Sequence, residues 1–335
     1  MTSPDVVANT TTGSRTAPAG TTADGTTPDG TSPNNTPPNN TPPDNTPPPA
    51  TAAPGALPDV PAVHERRSIL VALSFGWLIA MILLAAIADL LPLTSYSVPI
   101  GRPRQPPSFE SFDMLLGTDQ QGRSILSRCI YGARVSLLVG TAAGLIGAAI
   151  GTFFGMLAGY LGGRTKAVIG LITDAMLAFP PLILLLALSS ILTPSVRTLL
   201  VGLTLLIIPT FVRLALANTI AWSSREFVTA ARNMGAGHGR ILVKEILPNL
   251  LPPLGAFLPV VMAALIVAEG SLSFLGVGIP PPQPSWGGMI ADGKDAIENA
   301  PHMVFVPAAA IFLTVFALNQ AGDHLRHRFD RTLRD

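Results

Sequence analysis

Two carboxylates stand inside apolar runs, and they are the residues of this chain best suited to chemistry. Asp174 lies within residues 167–192 and is followed by Phe179-Pro180-Pro181. Glu269 lies near the end of residues 251–274, with Ser271 and Ser273 close by. An ionised carboxylate in hydrocarbon costs several kcal/mol, so each should face protein or water. Such a group can meet an amino terminus or a metal ion on a pathway, or it can tie helices or subunits together by a hydrogen bond. Catalytic and nucleotide signatures are missing: there is no GxxxxGK[ST], HExxH, CxxC or GxSxG. His64, His238, His302, His324 and His327 are scattered, and Cys129 is the sole cysteine, so neither a metal site nor an intrachain disulfide is expected. The chain reads as no enzyme by itself and as holding no cofactor.

A set of membrane spans must position these carboxylates. Of 335 residues, 48% are hydrophobic and 12% charged, about half the charge of an ordinary soluble domain. The formal net charge of +1 gives no reason to expect nucleic acid as a partner. Residues 1–62, with runs such as NNTPPNNTPPDNTPPP, can bury too little apolar surface to offset ordering entropy and read as a disordered tail. No signal peptide is evident, so the first span should serve as the insertion signal. Six spans are expected, at about 68–91, 135–158, 167–192, 198–217, 251–274 and 303–318. They divide the chain into a first span with its external segment (63–133), a core (134–322) and a C-terminal tail (323–335). Arg66 and Arg67 favour a cytoplasmic N-terminus. Lys and Arg near the spans number roughly twelve inside against seven outside, which places both termini and the loop 226–249 in the cytoplasm. In the second span Gly147, Gly151, Gly155 and Gly159 share one helix face. Small residues let backbones approach closely, so this face is a seam with another helix or subunit, or part of the chain's own packing. The proline-rich residues 280–284 with Trp286 read as a stiff loop and an interfacial aromatic.

Between the fourth and fifth spans, residues 226–249 read EFVTAARNMGAGHGRILVKEILPN. A short helix from Glu226 should break at Gly235, Gly237 and Gly239. A second short helix over 240–247 should stop at Pro248. Two helices with a glycine elbow suggest a rigid knob offered to a soluble partner.

The order Thr229-Ala230-Ala231, then Gly235, then Ile246-Leu247-Pro248-Asn249 resembles the coupling loop, or EAA loop, of ABC importer permeases. Two further blocks agree. GTDQQGRSILSRCIYGARVSL at 117–137 is similar to the family's GTDxxGRDxxSRxxxGARxSL, and AEGSLSFLGVGIPPPQPSWG at 268–287 is similar to TEASLSFLGLGVxPPxPSWG. Thr229 and Ser124 stand where the family has acidic residues, and Arg331 where it has a proline. The resemblance covers about residues 66–335 and is to dipeptide/oligopeptide subunits of the DppC/OppC type.

It implies an all-α inner-membrane protein with the type I importer (MetI-like) fold. It also implies a second permease of the DppB/OppB type and two ATPases of the DppD/DppF or OppD/OppF type, which would bind the ATP and Mg. A substrate-binding protein would deliver peptide from outside. Glu226, Thr229, Ala230, Ala231, Gly235, Ile246, Leu247 and Pro248 would form the coupling element. Asp174, Glu269, Ser271, Ser273 and the glycine face are candidates for the pathway or for helix packing. Nickel or another small solute is an alternative cargo. A self-sufficient secondary transporter, or a membrane anchor with a recruiting tail, is an alternative class.

Overall fold

The computed structural model describes residues 64–332; the expectation of a disordered tail over 1–62 lies outside them. Helix α1 (His64–Ala86) turns Leu78, Met81 and Ala85 inward and leaves Ile69, Leu73, Ile79 and Ile82 on its outer side. A looped segment follows. It ends at Ser124, whose Oγ accepts a hydrogen bond from the Ser127 N–H at 3.2 Å and caps α2 (Ile125–Leu161). The cap falls where the family block has an aspartate, and serine performs the same service. Residues 125–133, expected as part of the external segment, are therefore the first turns of a 37-residue helix. At 1.5 Å per residue α2 is about 55 Å long, well beyond the ~30 Å hydrocarbon core, so its first turns stand outside a span.

Gly162 and Gly163, both at positive φ, turn the chain directly into α3 (Gly163–Ala178). The expected third span is broken: Phe179 and Pro180 are extended, Pro181 starts α4 (Pro181–Ile191), and the two helices are bent by 86°. Proline fixes its own backbone and pushes the preceding residue out of helical geometry, so two in succession end a helix rather than merely curving it. Five described helices are long and apolar enough to cross a membrane, or six if α3 and α4 count as one span.

α5 (Val196–Ser223) runs back along α2, and the glycine face of α2 is where they meet. A Cβ on Gly151 would lie 2.5 Å from Phe211 Cβ and 2.7 Å from the Ile208 carbonyl oxygen. On Gly155 it would lie 2.5 Å from the Val212 carbonyl oxygen. The seam is thus made inside this chain, backbone against backbone.

α6 (Glu226–Asn233) is the short helix expected after the fourth span. α7 (His238–Arg240) leads through a wide π turn at Ile241–Ile246 into α8 (Leu247–Phe274) without a stop. The expected short helix ending at Pro248 is instead the base of a long one. In the π turn the Leu247 N–H bonds back to the Leu242 carbonyl oxygen. The widened ring makes room where a proline would otherwise strike the carbonyl four residues earlier.

α9 (Trp286–Gly293) is short and capped by Ser285, whose Oγ accepts from the Gly288 N–H at 3.1 Å. Trp286 is not an interfacial aromatic. It is fully buried, and its Nε1–H donates to the Cys129 carbonyl oxygen at 3.0 Å. Gly287 lies against Gly270 so closely that a Cβ would meet the α8 backbone, which lets α9 press the indole into the core. α10 (His302–Thr332) packs on α8 and α1, where Trp77 Nε1 donates to Thr314 Oγ1 at 3.1 Å, and it continues far beyond the expected span.

Candidate functional site

α6 is buried on one face and exposed on the other. Val228 and Ala231 point inward into a cluster with Ile241, Ile246 and Leu250. Ala231, expected on a partner-facing surface, is 7% exposed, so it packs within this chain; Ile246 is fully buried as well. Glu226, Thr229, Ala230, Gly235 and Pro248 are exposed, Leu247 is half-buried, and Met234 beside them is 81% exposed. The helix ends where Gly235 takes φ +78°, which lets the Ala236 N–H reach the Ala231 carbonyl oxygen at 3.0 Å. That six-to-one bond needs a left-handed residue, which glycine supplies at least cost.

Aromatic residues fasten the ends of α6 to the spans. Phe227 packs on Trp222, and the Arg225 guanidinium lies 5.5 Å from the Trp222 ring centroid. At the other end Arg232 lies 5.6 Å from the ring centroid of Tyr160, near the end of α2, and Tyr160 Oη meets His238 Nδ1 at 3.2 Å. The Tyr160 contacts are not visible in spacing, because Tyr160 is 72 residues before Arg232 in the sequence.

Glu269 is fully buried at the crossing of α8, α2 and α9. Its carboxylate accepts from Ser136 Oγ at 3.1 Å and from Ser273 Oγ at 2.8 Å, and Ser136 Oγ in turn accepts from the Trp286 N–H at 3.2 Å. Ser273 is therefore a partner of Glu269. Ser271 is not: it points outward and bonds the Val267 carbonyl of its own helix. The carboxylate joins three elements and, in this conformation, reaches no open space.

The looped segment holds a charge cluster that spacing did not reveal. Asp119 accepts from the backbone N–H groups of Gln121 and Arg123 at 2.8 and 2.9 Å and pairs with Arg123 Nε at 2.7 Å and Arg128 Nε at 3.3 Å. Arg128, with a side chain 4% exposed, also approaches Asp292 at 3.5 Å and the carbonyls of Tyr96 and Pro282. Burial raises the Asp292 carboxyl above the usual range, opposed by Arg128 and Arg123. The four-residue step from Asp119 to Arg123 was the one local hint of a pair. An adjoining cavity of about 400 Å³ is lined by Arg128, Asp292, Lys294, Gln283 and Pro194.

Asp174 and Arg213 form a further pair: Arg213 Nη2 donates to Asp174 Oδ1 at 2.7 Å, between α3 and α5, with both side chains largely exposed.

Comparison with known proteins places these features in context. Residues 151–335 match the family described as binding-protein-dependent transport system inner membrane component. The chain is 36% identical over 221 residues to the di/tripeptide transport system permease protein DppC of Pseudomonas aeruginosa, covering 66% of this chain and 73% of that one. A putative peptide transport system permease of Brucella suis is 34% identical over 290 residues, covering 83% and 96%. The glutathione transport system permease GsiD of Shigella flexneri is 41% identical over 214 residues, covering 64% and 71%. A chain of the MetNI methionine ABC transporter, solved in inward facing conformations, shares the fold with a TM-score of 0.51 at 19% identity, covering 60% of this chain and 95% of that one.

Proposed function

The chain belongs to the binding-protein-dependent transport system inner membrane components, and from that membership we propose that it carries short peptides inward as half of a two-subunit pathway. It is a multi-pass inner-membrane permease subunit of an ABC importer, and in such systems ATP and its magnesium belong to separate ATPase subunits. Peptide as cargo is supported by the di/tripeptide and glutathione permeases to which the chain is similar. Those relatives do not favour nickel or a self-sufficient secondary transporter. In this reading the second permease is of the DppB/OppB type and the ATPases of the DppD/DppF or OppD/OppF type. Both termini and α6 face the cytoplasm, and a binding protein docks outside.

The observation that carries the mechanism is the one-sided burial of α6. Its inner face is fixed by Val228 and Ala231 to the base of α8, and aromatic contacts tie its ends to α5 and α2. Its outer face, with Glu226, Thr229, Ala230 and Gly235, is free for an ATPase surface. Ile246 from within, with Leu247 and Pro248 beside it, supports the wide turn below α8. A push on such a helix moves spans as rigid bodies, because a packed interior transmits displacement.

Proteoliposomes holding both permeases and both ATPases, with the binding protein on the delivery side, test the reading. Uptake of a labelled dipeptide should require ATP and the binding protein together. Dipeptide uptake that persists without the ATPases, or ATP-driven uptake of nickel but not of peptide, would overturn it.

A further inference from the structure

The looped segment between α1 and α2 leaves two aromatic rings uncovered. Phe109 is 96% exposed and Phe112 55%, and neither belongs to the apolar core. One exposed ring on a surface is ordinary. Two on the same short loop, which is itself pinned, ask for a partner. Asp113, beside Phe112, accepts from the Thr94 N–H at 3.1 Å and from the Thr94 hydroxyl at 2.6 Å. Ser124 Oγ donates to the Asp113 carbonyl oxygen, and Ser127 Oγ to the Thr94 carbonyl oxygen, both at 2.7 Å. The rings therefore stand on a base fixed to the head of α2.

The level of this base follows from α1. The outer side of α1 is an apolar stripe through Ile69, Leu73, Ile82 and Ile87, and it continues to Leu90, which is 84% exposed. Leu90 lies twenty-one residues beyond Ile69, about 32 Å at the helical rise, and the hydrocarbon core is about 30 Å thick. Leu90 thus stands at the boundary, in keeping with a first span that ends at about residue 91. The chain then turns and stays at that level. The Leu93 N–H bonds back to the Leu91 carbonyl oxygen at 2.7 Å, and Tyr96 packs on Tyr131 with ring centroids 5.0 Å apart. Tyr131 Oη donates to Asp89 Oδ1 at 2.9 Å, so Tyr96 lies beside the end of α1. Thr94, between Leu90 and Tyr96, brings Asp113 and its two phenylalanines to the same height. Aromatic side chains at this depth act as interfacial anchors.

We propose that Phe109 and Phe112 insert into the lipid boundary at the far end of α1 and hold the looped segment down on the membrane. The occupant of this apolar patch is lipid, continuous with the lipid-facing stripe of α1. The same segment carries Asp119, so the anchor also sets the height of the charge cluster that joins it to Arg128 and Asp292.

Nitroxide labels on F109C and F112C, one at a time, test this in the full complex. The vesicles are of phosphatidylcholine and phosphatidylglycerol, and the partner subunits carry no reactive cysteine. Native Cys129 is buried, so the complex without an added cysteine is the blank. Oxygen concentrates in lipid and a nickel chelate in water. Both labels should collide more with oxygen than with the chelate, as at I82C on α1 and unlike E298C, an exposed loop position before α10. Accessibility like that of E298C overturns the proposal. So does low accessibility to both reagents, which would put the rings against protein. A loss of chelate access only when the binding protein is added would assign the patch to that protein instead. A label on S111C keeps both rings, because Ser111 is exposed and its side chain caps nothing. Phe109→Asp combined with Phe112→Asp should raise chelate collisions at S111C severalfold. An unchanged rate would refute the anchoring role.

Discussion

Gly151→Ala should destabilise the chain even though alanine is the better helix former. The new methyl would lie 2.5 Å from Phe211 Cβ, 2.7 Å from the Ile208 carbonyl oxygen and 3.1 Å from the Val212 nitrogen. Carbon atoms sit comfortably at about 3.5–4.0 Å, so α2 and α5 must part by about 1 Å. Two of the three obstacles are backbone atoms, which cannot swing aside. Forcing an extra carbon into a packed site costs about 1–3 kcal/mol. Replacing a helical glycine by alanine returns about 1 kcal/mol through propensity. Gly170 on α3 supplies the control, because a Cβ there meets nothing within 4 Å. Gly170→Ala should therefore be neutral or stabilising. The pair should differ by about 1–3 kcal/mol in the unfavourable direction for Gly151, the overpacking term alone. Thermal unfolding of the purified complex in detergent, followed by a probe on this subunit, reads the difference as a lower midpoint for Gly151→Ala. Equal midpoints would mean that the two helices are not in backbone contact.

Three further outcomes follow from the same geometry. Ala231→Asp should lower stability by several kcal/mol because it buries an unpaired charge, whereas Ala230→Asp on the free face should spare stability but reduce substrate-stimulated ATP hydrolysis by the complex. Glu269→Leu strands the Ser136 and Ser273 hydroxyls and should cost about 1–3 kcal/mol for each one left unsatisfied, while Glu269→Gln should cost clearly less; unfolding midpoints separate them. Asp119→Ala leaves two buried guanidinium groups without their shared carboxylate and should cost about 3–5 kcal/mol, more than Asp292→Ala, because Arg128 keeps Asp119 when Asp292 is gone. Chemical unfolding of the three proteins ranks them.

Much of the architecture was legible because lipid imposes simple rules. Runs of apolar residues marked the spans, and the four-residue glycine rhythm marked a seam, although only the folded structure identifies α5 as its other side. Helix α6 was readable from Glu226 to its glycine stop, since helix propensity and a left-handed terminator are local properties. What failed was non-local. Pro248 looked like a helix end because a proline forbids a regular α turn, yet the π turn before it absorbs the conflict. Trp286 looked interfacial because tryptophan favours that zone, yet the glycine contact between α8 and α9 draws it inside. Ala231 sat in a coupling motif and so looked partner-facing, but burial of one side of α6 is set by Ile241 and Ile246, which follow a turn later. The arginines at 123 and 128 could not be told from solvated charges, because their partner Asp119 belongs to a loop whose path no periodicity fixes.

Docking of the free face of α6 on an ATPase is measured directly by site-directed cross-linking. A photoreactive group placed through cysteine at Ala230 or Met234, in the assembled complex, should join this chain to an ATPase subunit, and nucleotide should change the yield. The same group at Ile82, on the outer side of α1, should give no such product. Adducts to lipid alone from positions 230 and 234, or ATPase adducts equally strong from position 82, would contradict the assignment of α6 as the coupling helix.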